Sequence, residues 1–264
     1  LFRPTSAYYM ARTRVVEIEN THNRAGGTIN PIENIKAVSE LAKKYNLYMH
    51  LDGARIWNAS VETNISPSEY VSHFDSVSVC LSKGLGAPIG SVLAGTKDFV
   101  KEAFRVRKAW GGGMRQVGVI AAAGLFAVQN NIPRLKEDHE KAKVLANGLA
   151  KISRVSIIPE YVETNILMFT TKNISIEDFQ LKCKEAGLLL GTGKVGEIRA
   201  VTHMDISFEQ IDEAVRIVER MLEEYGKIKS LPRVAGGKAG KIKNKSKDCI
   251  VGKTELQAQH FGSC

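Results

Sequence analysis

The feature that most constrains this chain is an alternation in its first ninety residues. Short apolar or β-branched runs of strand length take turns with helical patterns, and each run closes on polar or glycine-containing residues. Val15 to Ile18 is the first run, followed by Glu19-Asn20-Thr21-His22-Asn23. A helix is predicted over residues 31–45. Asn30 can cap it, Pro31 suits the first helical position, Glu33 falls in the first turn, and Ile32, Ile35, Val38, Leu41, Ala42 and Tyr45 recur at helical spacing. Leu47 to Leu51 is a second strand ending at Asp52, Ser66-Pro67 opens a short helix, and Ser76 to Leu81 is a third strand ending at Ser82-Lys83-Gly84. Strand, helix, strand, helix, strand at this spacing predicts parallel βαβ units.

Helices are predicted at 97–108, 115–129 and 133–152. The middle one is rich in Val, Ile, Ala, Leu and Phe around Gly118 and Gly124, a composition that predicts burial. From about residue 153 the rhythm becomes that of a smaller α+β unit: strand 165–169, helix 175–186, a strand near 188–190, strand 197–201 and helix 207–225. Ser207 and Gln210 form a capping box for the last helix, and Gly226 is expected to stop it. The expected organisation is a cofactor-binding large domain over 1–130, a connecting helix with a small C-terminal α+β domain over 131–226, and a basic, disordered tail over 227–264. The fold class expected is α/β, a mostly parallel sheet flanked by helices, with the α+β unit appended.

The net charge of +9 would suggest a nucleic-acid partner if it were spread evenly. It is not. Residues 227–264 hold nine Lys or Arg and two acids, while the remaining residues hold 28 basic and 26 acidic groups. A nearly neutral body with one ring, Phe261, in its basic tail argues against a specific nucleic-acid partner. No apolar run approaches the roughly 20 residues of a membrane span, and no secretory signal is visible near the start, so a cytoplasmic location and no membrane partner are expected. Cys80, Cys183, Cys249 and Cys264 form no CxxC pair, and the six histidines lack metal-ligand spacing, so reduced thiols and no metal site are expected.

Asp52 and Lys83 carry the chemistry. Each stands at the carboxyl end of a predicted parallel strand, where ligands of open α/β sheets bind. Ser82, Gly84 and Gly86 beside Lys83 let a bulky group approach the backbone. A lysine desolvated at a strand end is a candidate for a Schiff base with a carbonyl. A carboxylate one strand away is the partner that keeps a pyridine nitrogen protonated. The competing reading of the two residues alone is a surface lysine and a helix-capping aspartate.

The surrounding words narrow the choice. His50-Leu51-Asp52-Gly53-Ala54-Arg55, Cys80-Leu81-Ser82-Lys83-Gly84-Leu85-Gly86-Ala87-Pro88-Ile89-Gly90-Ser91 and Gly111-Gly112-Gly113-Met114-Arg115-Gln116 resemble the low-specificity L-threonine aldolases, pyridoxal phosphate enzymes of the aspartate-aminotransferase-like fold. So do Glu19-Asn20-Thr21-His22-Asn23 and Ile198-Arg199-Ala200-Val201-Thr202-His203-Met204-Asp205. The resemblance implies pyridoxal 5'-phosphate as cofactor, with Lys83 as its Schiff-base lysine, Asp52 against its pyridine nitrogen and Arg55 near its ring oxygen and the substrate carboxylate. It implies that Arg199 grips that carboxylate, a β-hydroxy amino acid such as L-threonine is the substrate, and retro-aldol cleavage gives glycine and an aldehyde. Lys108 and Arg115 match basic positions near a subunit boundary, with solvated charge as the alternative. For His22 the readings are a chemical role or a bond within its own loop, and His203 is expected to be structural. A homo-oligomer, a dimer of dimers, is implied as well. Residues 1–18 contain no Gly-rich strand-to-helix turn, which in the family cradles the phosphate upstream of Glu19, so the chain reads as truncated at its N-terminus with an incomplete large domain. Two further readings stay open: an inactive family member acting only through association, and another pyridoxal phosphate lyase or transaminase.

Overall fold

The computed structural model describes residues 8–230, with side chains described to residue 225. Four strands form the first sheet: β1 (Val15–Glu19), β2 (Tyr48–Gly53), β3 (Ser76–Cys80) and β4 (Ser91–Gly95), in that order. β1, β2 and β3 are parallel, as the alternation predicts, and β4 closes the sheet antiparallel to β3. Helices α1 (Ile32–Lys44), α2 (Ile56–Thr63) and α3 (Pro67–Val71) connect the parallel strands. Neither β4 nor α2 is foreseen in the sequence. β4 follows a tight loop instead of a crossover helix, and α2 is only eight residues long, too short to announce a period.

The parallel core lies between α1 and one face of the sheet. Met49 and Leu51 alternate inward along β2, and Leu51 packs with Ile35, Ile56, Tyr70 and Val77. α1 begins one residue later than predicted. Pro31 holds the cap position, since its carbonyl accepts the first helical bonds, and Asn30 lies one residue before the cap, its backbone N–H donating to Asn20 Oδ1 and its carbonyl accepting from Asn20 Nδ2.

α4 (Lys97–Ala109) and α5 (Gly118–Asn130) follow β4. The expectation that α5 is buried fails. Only Gly124 and Ala127 are buried, while Val119, Leu125 and Phe126 are exposed. α5 is apolar all round, and among the described residues no element covers its outer face. β4 is exposed along its whole length and α4 has no buried residue, and Val92, Leu93, Phe104 and Trp110 are exposed apolar side chains there.

α6 (Leu135–Ala150) leads into the second sheet, in which β5 (Val155–Ser156), β6 (Ile166–Thr171), β8 (Ile198–Val201) and β7 (Gly191–Thr192) lie in that order, all antiparallel. β7 lies a few residues after its expected place at 188–190, because Leu188 and Leu190 pack against the core beside the strand pairing. α7 (Ile176–Glu185) and α8 (Phe208–Ser230) complete the unit, whose core joins Leu149, Phe169, Phe179, Ile198, Val218 and Leu222.

The capping box forms as expected: Ser207 N–H donates to Gln210 Oε1 at 2.9 Å and Gln210 N–H to Ser207 Oγ at 3.3 Å. Gly226 does not stop α8, which runs on to Ser230. One glycine costs a helix about 1 kcal/mol, and the lysines and glutamates around it are good helix formers. Thus 227–230 belong to α8, and the rest of the expected tail, with Cys249 and Cys264, lies outside the described residues. Cys183 is a free thiol that burial pushes up to about 12, and Cys80 is free and half-buried. No helix among the described residues is long and apolar enough to cross a membrane.

The loop 20–30 is locked to the second sheet. Thr164 Oγ1 donates to the Gly27 carbonyl at 2.6 Å, and Ile29 N–H donates to Glu163 Oε2 at 2.8 Å. Gly27 has φ +75°, and a Cβ there would stand 2.7 Å from Thr164 Oγ1 and 2.9 Å from Ile166 Cβ. Gly27→Ala therefore combines left-handed strain with a collision against strand β6. It is expected to lower stability by at least about 2 kcal/mol in urea unfolding, whereas Gly187→Ala, with the same backbone sign but open space, loses only the strain of about 1 kcal/mol.

Candidate active site

The site is built on the carboxyl-end rim of the parallel strands. Asp52 lies level with Glu19 on β1 and Ser78 on β3. Its face alternates with the buried one, so the carboxylate is half-buried instead of packed into the core. Asp52 Oδ1 accepts the Ala54 N–H at 3.0 Å, and its backbone carbonyl accepts the Asn20 N–H at 2.9 Å. These bonds fix the turn that carries Arg55 into α2.

Lys83 stands just beyond β3 in a loop closed by three backbone bonds. Gly86 N–H donates to the Lys83 carbonyl, Ala87 N–H to that of Leu81, and Leu81 N–H to that of Gly90. Gly86 has φ +73°, which that turn requires. Lys83 is half-buried, not the fully desolvated residue expected, because the loop lifts it three residues past the strand. Its amine enters no hydrogen bond or ion pair among the described residues.

Arg55 and Arg199 come from the two different sheets' units, and each lies within reach of the other's charge. Burial lowers the Arg55 pKa, Arg199 lowers it further by repulsion, and Glu19, Cys80 and Asp52 act in the opposite sense. Arg199, on β8, is held by Asn23, whose Oδ1 accepts from Nη1 at 2.7 Å. Its Nε is buried and has no hydrogen-bond partner. A buried guanidinium N–H with no acceptor, beside a second guanidinium, is the donor set of a site for an anion, a planar carboxylate above all. Asp52, Lys83, Arg55 and Arg199 thus fit the pyridine nitrogen, the aldehyde carbon and the carboxylate expected of pyridoxal phosphate and an amino acid. No donor cluster for the phosphate accompanies them among the described residues.

The other expected residues lie elsewhere. Lys108 is exposed at the end of α4, and its side chain packs over Gly113, where an added Cβ would stand 2.6 Å from its Cδ. Arg115 is exposed beyond that turn. Neither is tied to Asp52, Lys83 or the two arginines by a hydrogen bond or ion pair among the described residues. His22 is exposed and makes local bonds: Nδ1 accepts the Ala25 N–H at 3.0 Å, and Nε2 lies 3.6 Å from Glu19 Oε2. His203 likewise serves its own turn, accepting the Asp205 N–H at 3.3 Å. Asn23 has no role in the sequence reading, although its motif carries the resemblance. No local pattern says that its side chain reaches a strand 176 residues on.

An open, mostly parallel sheet with a lysine and a carboxylate at its strand ends and a second, antiparallel sheet beside it is an α/β architecture found among pyridoxal phosphate enzymes. The family model described as "Beta-eliminating lyase" matches residues 1–172, and the chain belongs to that family. It is 40% identical over 211 residues to low-specificity L-threonine aldolase 1 of Arabidopsis thaliana, a match covering 79% of this chain and 59% of the relative. Among solved structures, a Listeria monocytogenes protein provisionally assigned as an L-allo-threonine aldolase superposes with TM-score 0.68 at 27% identity, over 83% of this chain and 63% of the other. A PLP-dependent aminotransferase from Streptococcus suis shares the fold with TM-score 0.63 at 19% identity, over 81% and 58%. The resemblance to low-specificity threonine aldolases is thereby borne out, and the chain spans about three-fifths of the length of the curated relatives it matches.

The arginine pair makes a prediction of its own. Acetate, a carboxylate without further groups, is expected to raise the melting temperature in a saturable way, because a ligand at 100 times its Kd adds about 2.7 kcal/mol. Arg199→Gln should abolish that rise while leaving the response to sodium chloride unchanged. An identical acetate response in the variant would show that the arginines do not form an anion site.

Proposed function

We propose that the chain carries the catalytic residues of a pyridoxal phosphate-dependent aldehyde-lyase that cleaves L-threonine and related β-hydroxy amino acids to glycine and an aldehyde. The observation that carries the reading is the unpartnered buried Nε of Arg199, held in place by Asn23 and within reach of the charge of Arg55, which follows the Asp52 turn. Lys83 would hold the cofactor through its aldehyde carbon, and Asp52 would keep a proton on the ring nitrogen. When bound, pyridoxal phosphate supplies an electron sink for the pair released as the Cα–Cβ bond breaks.

The chain's own residues do the positioning. Arg199 offers a planar fork to the substrate carboxylate, and Asn23 keeps that fork from rotating. Arg55, which follows the Asp52–Ala54 turn into α2, adds a second positive charge. Holding the carboxylate at one end restrains rotation about the bond to Cα. That restraint would favour cleavage of one bond of Cα, here the one to Cβ.

Borohydride reduction of the chain with pyridoxal phosphate is expected to label Lys83. Threonine cleavage, read as glycine and acetaldehyde together, should vanish in Lys83→Ala. Arg199→Lys should raise KM for threonine by about tenfold or more with little change in cofactor affinity, since a charged hydrogen bond is worth about 1.5–3 kcal/mol. A 2-oxo acid formed without aldehyde would favour a transaminase instead. A label on another lysine would remove Lys83 from its role.

Association of copies belongs to the same proposal. The apolar surface of β4, α4 and α5 supports a homo-oligomer, because exposed patches of this kind mark interaction sites. Phe126→Glu places a charge at the centre of α5's exposed face and should shift sedimentation toward a smaller species. An unchanged sedimentation coefficient would place any contact elsewhere.

A further inference from the structure

A chain of buried polar side chains runs through the junction of α2, α6, β6 and β8, apart from the residues assigned above. Asn58, His139 and Asn165 are each at most 3% exposed. Asn165 Nδ2 donates to the backbone carbonyl of Thr202 at 3.0 Å, Asn58 Nδ2 lies 3.4 Å from Asn165 Oδ1 and 3.1 Å from His139 Nε2, and His139 Nδ1 lies 2.9 Å from Glu62 Oε2. The other Glu62 oxygen accepts from Lys143 Nζ at 2.8 Å.

The direction of every bond follows from its far end. A backbone carbonyl can only accept, so Asn165 turns its NH2 to Thr202 and its oxygen to Asn58. Asn58 must then turn its NH2 toward both Asn165 and His139. His139 Nε2, facing an N–H, has to accept, so the imidazole carries its one proton on Nδ1 and donates it to Glu62.

A second proton on the ring has nowhere to go. It would set N–H against N–H at Asn58. Turning Asn58 over moves the conflict to two facing oxygens at Asn165, and turning Asn165 moves it to the Thr202 carbonyl. Each alternative leaves a buried clash of like groups, which costs more than the bond it replaces.

The chain also joins the two halves of the candidate site. Asn58 lies under the Lys83 loop: a Cβ placed on Gly84 would stand 3.7 Å from its Oδ1. Thr202 directly follows β8, the strand of Arg199, and its Oγ1 donates to the Asp138 carbonyl of α6 at 2.6 Å. We propose that the Glu62–His139–Asn58–Asn165–Thr202 chain is a proton-sensitive clasp, which seats β8 and Arg199 against the Lys83 rim while His139 is neutral and loosens when the ring takes a second proton.

The charged groups about the ring are Glu62 from α2 and Lys143 and Glu140 from its own helix, while the starts and ends of β6 and β8 contribute Asn165 and Thr202, which do not titrate. Burial holds the His139 pKa below its ordinary value against the pull of Glu62. For Glu62, burial works in the opposite direction but the bonds from Lys143 and His139 outweigh it, and its carboxyl sits below the usual range. An imidazole whose folded pKa is depressed binds its proton more readily in the unfolded chain. The clasp is therefore whole above about pH 6.5, the unfolded value, and is lost as pH falls through the lower folded value.

The test needs neither cofactor nor turnover, so its outcome is separate from that of the aldolase reading. Long-range proton–nitrogen spectra of the full chain with labelled histidine, His139 being assigned from His139→Gln, should show Nδ1 protonated and Nε2 bare at pH 7. A proton on Nε2 at that pH, on a neutral or a charged ring, overturns the proposal. Exchange of the Thr202 amide, corrected for its intrinsic pH dependence, should quicken by about tenfold or more as His139 titrates, the scale of one buried hydrogen bond. No step across that titration overturns the positioning role even if the tautomer is right. In Asn58→Asp, where position 58 offers only acceptors, His139 should hold both protons at pH 7 and Thr202 should exchange faster already there. A neutral His139 in that variant also overturns the proposal.

Discussion

The parallel pairing of β2 between β1 and β3 is the constraint on which everything else rests. Its side chains alternate, Met49 and Leu51 into the core and His50 and Asp52 to the other face. A slip of one residue would put Asp52 among Ile35, Ile56 and Val77 and lift Leu51 to the rim. Burying an unpaired carboxylate costs several kcal/mol, and exposing a leucine forfeits about 2 more. The hydrophobic face thus selects the register, and the register sets Asp52 level with Glu19 and Ser78 at the end where the Lys83 loop also emerges.

From that rim the site depends on how the second sheet is seated. Three kinds of contact do the seating: Thr164 and Glu163 on the loop around Gly27, the amide chain from Asn58 to Thr202, and Asn23 on Arg199. All are polar, short and partly or fully buried. Apolar contacts tolerate sliding, whereas a hydrogen bond in a low-dielectric setting is lost within an ångström, so this junction specifies one arrangement. Two arginines brought together at such a junction repel each other, and an anionic ligand between them would relieve that repulsion. The Arg199 Nε is buried there without a hydrogen-bond partner.

The antiparallel β4, α4 and the all-apolar α5 offer side chains to no partner among the described residues. A helix that is apolar all round is stable only when it is covered on all sides.

The local signals in the sequence carried far. The alternation of runs and helices predicted the parallel strands, and Asp52 and Lys83 could be placed at strand ends before any contact was known. The Ser207–Gln210 box marked where α8 starts. These succeed because a period or a cap is decided by residues within a turn or two of one another. Where such signals were weak or overridden, the structure differs: α1 is capped at Pro31 and not at Asn30, Gly226 is carried through by its neighbours, and α5's apolar composition does not bring burial. What only the tertiary structure decided is which distant residues meet. Arg55 comes within reach of the charge of Arg199, Asn23 reaches β8 across 176 residues, and Asn58 finds Asn165 across 107. No neighbour in sequence announces these partners, and only the packing of the sheets and helices brings them together.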